Sequence, residues 1–423
     1  MPRSSSADGL ALLVAAVSGR ALAQAARRAR FVPLVADFFA DMDTQEAAYA
    51  CCKLDDIARG FRWASLARAL DALAAASPAP ILGFVYGSGF EDRPELLSRI
   101  AERWTLIGND AATVRRLKDP KSFFSTLDRL GIAHPATTCV RPARGVKDWL
   151  VKREGGAGGS HIGIDRSARK RGNRYYQERV EGSPVSALFL ADGTCARVLG
   201  FSEQWPAPSK GRPFRYGGAV RPARLTPSAK EAMRSAVERA VSAFGIRGLA
   251  SADFMVKGKT ALLLEINPRP GATIDIFDSA DAPLLKLHLE AAQRDKLPRQ
   301  APRPAGAAAS AIVFARRRLA VPLTMAWPVW TADRAKPGEI IDKERPICTV
   351  WARAGTTARA KSLVEARTKT VLACIESKCR GDYREQNGQK DGSQRRRGGP
   401  AERQHRGRAD RKIHGRGGAV ASR

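Results

Sequence analysis

In the second half of the chain, Glu265-Ile-Asn267-Pro-Arg269 ends an apolar run that begins at Ala261. Side chains two apart on a strand share a face, so Glu265 and Asn267 project together while Ile266 points into a core. If the turn Lys257-Gly258-Lys259 closes a hairpin, Asp253 lies within about one residue of the position opposite Glu265. Two carboxylates and an amide oxygen on one face form an oxygen-only site, the type that holds magnesium, or manganese, and leaves positions for phosphate and water. A second group is Gly155, Gly156, Gly158, Gly159, Ser160 and His161, directly after a strand that carries Lys152. Four glycines in five positions permit positive φ and close backbone approach, which suits a flap of amide donors around phosphate oxygens. A flexible β-turn has the same letters. Lys152 reads as a point charge for phosphate or as a lysine covering apolar surface with its stem. A third segment, Tyr176 to Gly182, is extended and carries Gln177, Glu178, Val180 and Glu181. Such backbone can read a base edge, with a carboxylate reaching an amino group or a ribose hydroxyl.

The elements that must position these groups follow from hydrophobic periodicity. The first 110 residues alternate short apolar runs with helical patterns, the signature of a parallel α/β sheet. Strands are predicted at Leu10 to Val17, Phe31 to Phe38, Ile81 to Tyr86 and Trp104 to Ile107, with a helix from Arg20 to Arg30. The first turn, Ser18-Gly19-Arg20, lacks the three-glycine dinucleotide fingerprint, which excludes a Rossmann-type nicotinamide site. It reads either as a set of backbone donors for an anion or as a tight turn. Asp119 to Gly131 is predicted helical, with Pro120 in its first turn. A β-rich stretch follows, with strands at Trp149 to Lys152, Tyr175 to Val180, Val185 to Leu190 and Cys195 to Phe201. Thr226 and Pro227 open a helix that Gly245 ends, strands Leu249 to Val256 and Ala261 to Ile266 come next, and Ala282 to Ala292 is helical. After a Pro/Ala linker at 301–306, three small strands precede a helix from Thr357 to about Ile375.

In motif order, these residues resemble the ATP-grasp carbon–nitrogen ligases, which include biotin carboxylase, D-alanine–D-alanine ligase and the carbamoyl-phosphate and purine-pathway ligases. The resemblance implies a Rossmann-like lead domain over 1–110 and an ATP-grasp domain over 111–300. The latter divides into a flap-bearing part near 135–205 and a metal-binding part near 206–300, with a small β-rich part at 301–376. It implies ATP and magnesium as cofactors, Lys121 and Lys152 as phosphate lysines, and Gly155 to His161 as the flap. It makes Glu178, Val180 and Glu181 the adenine and ribose hinge, and Asp253, Glu265 and Asn267 the metal ligands. Arg269 matches an arginine that meets the acyl substrate or phosphate, so Arg269 and Lys152 are the implied catalytic groups. Where several members place a ribose-binding Glu after the hinge glycine, this chain has Gly182-Ser-Pro184, and Glu181 substitutes. The implied reaction joins a small-molecule carboxylate to an amine, as in ligases of cofactor biosynthesis. Ser18, Gly19, Arg20, Arg269 and Thr273 are candidates for the acceptor pocket. The rival readings are a carboxylase or purine-type ligase using bicarbonate or formate, and a basic nucleic-acid-binding protein on the same scaffold.

Composition narrows the classes. The 423 residues carry a net charge of +30, and Lys378 to Arg423 alone hold 14 basic and 5 acidic residues. Arginines elsewhere fall mostly on predicted helices, with no interleaved aromatic pattern, so no specific nucleic acid is expected. The Gly- and Arg-rich segment 377–423 has too little apolar surface to fold and reads as a disordered basic tail. Seven scattered cysteines without metal-type spacing fit a reducing cytoplasm. Apolar runs stop short of the roughly 18 residues of a membrane span, so no membrane is expected, and a homodimer is left open.

Overall fold

The apolar runs of the N-terminal region form a four-stranded parallel sheet. Its strands in spatial order are Ala50–Lys53, Val32–Asp37, Ala11–Ala15 and Ile81–Tyr86. Three of them, Val32–Asp37, Ala11–Ala15 and Ile81–Tyr86, are short and mainly apolar because both faces are covered, as a parallel sheet requires. Helix Arg20–Arg28 covers one face through Leu22, Ala23, Ala25 and Ala26. Helix Trp63–Ala75 covers the other through Leu66, Leu70 and Leu73. The predicted strand at Trp104 to Ile107 is reduced to one parallel bridge, Phe84 to Leu106. Strand Ala50–Lys53, with its half-polar Ala-Cys-Cys-Lys text, carries no apolar signal and is added by pairing alone. The computed structural model describes residues 9–142, 148–164, 173–302 and 304–394, and of 378–394 the backbone only.

The centre is an eight-stranded antiparallel sheet. In order its strands are Thr260–Asn267, Arg247–Lys257, Ser183–Asp192, Ala196–Pro206, Tyr216–Arg221, Ala307–Phe314, Pro346–Ala354 and Thr331–Ala332. Three of the strands after the 301–306 linker thus continue this sheet, while Leu319–Ala320 and Ile340–Ile341 pair with each other in a sheet of two. Strand Tyr216–Arg221 escaped prediction because Gly217 and Gly218 interrupt its pattern. The space of a Gly218 side chain is taken by Trp205 and by the Ser310 carbonyl. Helix Pro227–Phe244 packs Met233, Val237, Val241 and Phe244 on the sheet. Its ends match the signals read for them: the Thr226 side chain accepts from the Ala229 amide, and Gly245 takes the left-handed conformation at φ 68°.

A smaller antiparallel sheet, ordered Thr137–Thr138, Arg174–Glu178, Trp149–Arg153, Ile162–Ile164, carries the glycine segment between its last two strands. The predicted helix at Asp119 to Gly131 is Pro120–Arg129, and a further helix, Ala111–Lys118, directly precedes it. Asp119 separates the two in an extended conformation, as a residue before proline prefers, and its carboxylate accepts from the Ser122 amide. The last helix runs Thr357–Gln394, well past the predicted end near Ile375. Past Ile375 the text holds Gly381, Gly388 and Gly392 and no apolar face, which is why the sequence predicts a stop there. The chain divides at this helix into a unit ending at Cys379 and a second beginning at Arg380, and the rest of the expected tail, 395–423, lies outside the described residues.

Candidate active site

Antiparallel pairing sets Asp253 directly across from Glu265 and Ser251 across from Asn267. The intervening Phe254, Leu263 and Ile266 are buried in the core on the other face, which fixes the register and hence the side on which the acceptors project. The Asn267 amide nitrogen donates to Asp253 Oδ2 at 3.1 Å, and Gln204 donates to Asp253 Oδ1 at 3.5 Å. Two facing carboxylates repel, and the site answers with lysines. Lys118 Nζ donates to Asn267 Oδ1 at 2.9 Å and stands 3.5 Å from Glu265 Oε2. Burial, then Glu265 across the sheet, push Asp253 up to about 6. Glu265 is held down to about 2: burial opposes its charge, but Lys118, and further off Lys152 and Arg269, outweigh that.

Lys152 is buried on strand Trp149–Arg153, and its ammonium donates to Gln177 Oε1 at 2.6 Å. Gln177 in turn donates to Thr137 Oγ1 at 3.3 Å. Burial pushes Lys152 below the usual lysine range, while Glu265 and Asp253 pull it back. The glycine segment folds back over this region. Gly155 (φ 65°) lies against the backbone of Glu91 and Asp92, where an added Cβ would come within 2.6 Å of Asp92 Cα. Gly159 (φ 69°) lies against the Phe214 carbonyl, where a Cβ would come within 1.9 Å. The Tyr216 amide donates to the Gly158 carbonyl at 2.9 Å. The His161 ring rests on Gly156, and burial pushes it down to about 4, so it is neutral near pH 7. Ser160 is exposed.

Under the flap lies a cavity of about 20 Å³, lined by Lys118, Phe123, Phe124, Gly155, Gly156, His161, Tyr175 and Glu265 among others. That volume is about one water. A larger cleft of about 560 Å³ lies elsewhere, lined by Arg20, Arg28, Asp43, Asp275, Trp351 and Arg353 among others, and shares no residue with the acceptor trio.

Several sequence expectations change here. Lys121 is exposed on helix Pro120–Arg129, whose buried stripe is Pro120, Phe123, Phe124 and Leu127, and Lys118 stands at the acceptors in its place. The sequence held the signal: Ala111, Val114, Leu117 and Lys118 share one helical face, so Lys118 is a lysine on an apolar stripe. Glu181 is exposed and paired with Lys257 at 2.8 Å, a surface ion pair away from the cavity lining. The half-buried Glu178 ends its strand, its amide donating to the Ala136 carbonyl, while Val180 is half-buried beyond it. Arg269 is buried, and its Nε donates to Glu91 Oε1 at 2.8 Å. Glu91 is held below the usual carboxylate range, despite burial, by Arg269 and Lys118. Glu91 was missed although it follows the C-terminal end of a parallel strand, where open α/β sheets place their sites. The Gly19 amide donates to Asp37 Oδ2 at 2.7 Å, so that amide is taken within the turn. Ser18 and Arg20 bind Asp333, and Thr273 is buried.

A magnesium ion fits this donor set: the three acceptors are hard oxygens, two of them charged, and two of the three, Glu265 and Asn267, already face a cation, the Lys118 ammonium. Among the described residues no group of three or more His, Cys, Asp and Glu forms another metal site. Cys51, Cys52, Cys139, Cys195, Cys348 and Cys374 are free thiols, and no helix among the described residues is long and apolar enough to cross a membrane.

The family model of the ATP-grasp domain matches residues 118–273. The carbamoyl phosphate synthase large chain of Vibrio vulnificus is 27% identical over 209 residues, 43% of this chain and 19% of that protein. The Caldanaerobacter subterraneus counterpart is 30% identical over 122 residues, 28% of this chain and 11% of that protein. The chain therefore spans about a fifth or less of these curated relatives. Among solved structures, an L-amino acid ligase from Bacillus licheniformis superposes with a TM-score of 0.64 at 17% identity, over 88% of this chain and 98% of that one. The biotin carboxylase domain of Hydrogenobacter thermophilus 2-oxoglutarate carboxylase, solved with MgADP and bicarbonate, gives 0.65 at 14%, over 84% and 88%. Phosphoribosylglycinamide synthetase from Anaerococcus prevotii gives 0.59 at 14%, over 88% and 98%. Residues 118–273 thus match the ATP-grasp domain, and the chain shares the fold of these solved structures.

Proposed function

We propose that the protein is an ATP- and magnesium-dependent ligase that activates a carboxylate as an acyl phosphate and joins it to an amine, releasing ADP and phosphate. The observation that carries this reading is the gathering of Asp253, Glu265, Asn267 and Lys118 beneath the glycine segment, beside the buried Lys152. A substrate carboxylate oxygen attacks the γ-phosphorus, and the bond to the β,γ-bridging oxygen breaks. The amine nitrogen then attacks the acyl carbon, loses a proton and expels phosphate. Positioning and charge neutralisation account for most of such catalysis. Asp253, Glu265 and Asn267 would hold magnesium, which supplies charge neutralisation on the phosphates when bound.

The chain's own residues do the rest. Lys152, pinned by Gln177, meets the phosphates as a fixed charge, and the flap excludes water from an acyl phosphate that hydrolyses readily. Arg269, held by Glu91, lines the approach to the acceptors from the lead domain. Incubation with ATP, magnesium, hydroxylamine and pooled carboxylic acids tests the proposal. Trapped hydroxamate with matching ADP release is the expected result and identifies the acid. ADP release that depends on bicarbonate and on no other acid would favour a carboxylase. Absence of ADP with every acid and with bicarbonate would overturn the reading.

A further inference from the structure

Lys118 holds two of the three acceptors assigned to the metal. Its Nζ is 2.9 Å from Asn267 Oδ1 and 3.5 Å from Glu265 Oε2, and the residue is 9% exposed. A divalent magnesium ion binds such oxygens at about 2.0–2.1 Å. The ammonium opposes that binding, because two cations drawn to the same oxygens repel each other within one small site. The other buried lysine and arginine that act on Glu265 are already placed: Lys152 donates to Gln177, and Arg269 is paired with Glu91. Lys118 is thus the cation within ion-pair distance of Glu265 among the described residues. It ends a helix, where the negative pole favours an ammonium, and its four-carbon stem can swing without moving the backbone.

We propose that Lys118 is an exchangeable internal cation of this site. Before metal arrives it neutralises Glu265 and keeps Asn267 and Asp253 in register. When metal and nucleotide enter, the ammonium moves off the acceptors and onto the phosphate delivered beside them. This rests on the ligase reading above, but its own signature is a competition between lysine and metal that needs no turnover.

The test titrates the full chain with Mn2+ and follows free Mn2+ by electron paramagnetic resonance, without nucleotide and then with a non-hydrolysable ATP analogue. Without nucleotide, Lys118→Met and Lys118→Gln should bind Mn2+ at least tenfold more tightly than the unaltered protein. Calorimetry should show both variants binding the analogue at least tenfold more weakly. In the unaltered protein, Mn2+ alone should raise the rate of Lys118 acetylation by acetic anhydride, read by mass spectrometry, which covers the case in which neither variant folds. Unchanged or weaker Mn2+ binding in folded variants, or acetylation indifferent to Mn2+, overturns the exchange. Failure of the unaltered protein to bind the analogue at all would instead overturn the ligase reading.

Discussion

Two clusters of buried charge sit in this molecule, and they are built on opposite plans. In the first, Arg20 lies between Asp275 and Asp333, giving Nη2 to Asp275 Oδ2 at 2.7 Å, Nη2 to Asp333 Oδ2 at 2.8 Å and Nε to Asp333 Oδ1 at 3.0 Å. Ser18 and Thr349 donate the remaining hydrogen bonds to Asp333. Every strong donor meets a fixed acceptor, so the cluster joins the lead helix to the far strands and has no capacity left for a ligand. In the second, Asp253 and Glu265 face each other across a strand pair, and one lysine, Lys118, stands 3.5 Å from Glu265 and donates to Asn267. Charge completed by rigid side chains makes a clamp, whereas charge left to one flexible lysine makes a place where something else can bind.

The contrast breaks most sharply at Arg20. Arg20→Met strands two buried carboxylates, and the loss should be about 3–5 kcal/mol by urea unfolding. Stability within about 1 kcal/mol of the unaltered protein would show that the clamp is not one. Glu265→Gln acts on the other cluster and should leave the urea midpoint nearly unmoved. Turnover with the acid found by trapping should fall roughly a hundredfold or more, the scale of losing one preorganised electrostatic group. Lys152→Met keeps the stem and deletes the charge, so nucleotide affinity by calorimetry should fall about tenfold while the fold persists.

A neutral counterpart of the Arg20 clamp gives a smaller effect. His288 accepts from the Leu249 amide at 2.8 Å through Nδ1, and its Nε2 meets the Ile107 carbonyl at 3.2 Å. Burial holds His288 down to about 4, against about 6.5 for a free imidazole. Between those values the unfolded chain takes up a proton that the folded chain refuses. This contribution is complete above about pH 6.5 and declines as pH falls toward 4, by up to roughly 1.4 kcal/mol per pH unit. His288→Gln should flatten that part of the stability profile; an unaltered slope would assign it elsewhere. The smallest change is expected for Lys121→Met, less than about threefold in nucleotide affinity, since Lys121 is exposed; a tenfold loss would return the phosphate role to it.

Much of the site was legible in the text. Glu265, Asn267 and Asp253 were readable because strand period and hairpin register are local rules, and the observed pairing of Asp253 with Glu265 meets that expectation. Helix Pro227–Phe244 was equally legible from its Thr-Pro start and glycine stop. Motif order points to Lys121, while the helix break at Asp119 rotates Lys118 inward and Lys121 outward. Helical period alone already put Lys118 on an apolar stripe.

By itself the sequence determined the order of α/β and β-rich parts, the acceptor-bearing strand and the glycine segment, since each depends on residues within a turn or a strand of one another. Only the tertiary structure decided how charge is compensated. The partners of Arg269, Lys118 and Arg20 lie 178, 149 and 313 residues away. No local periodicity spans such separations. Which cation faces which carboxylate is set by how the lead sheet, the central sheet and the flap sheet pack, because burial then makes the nearest opposite charge the dominant interaction.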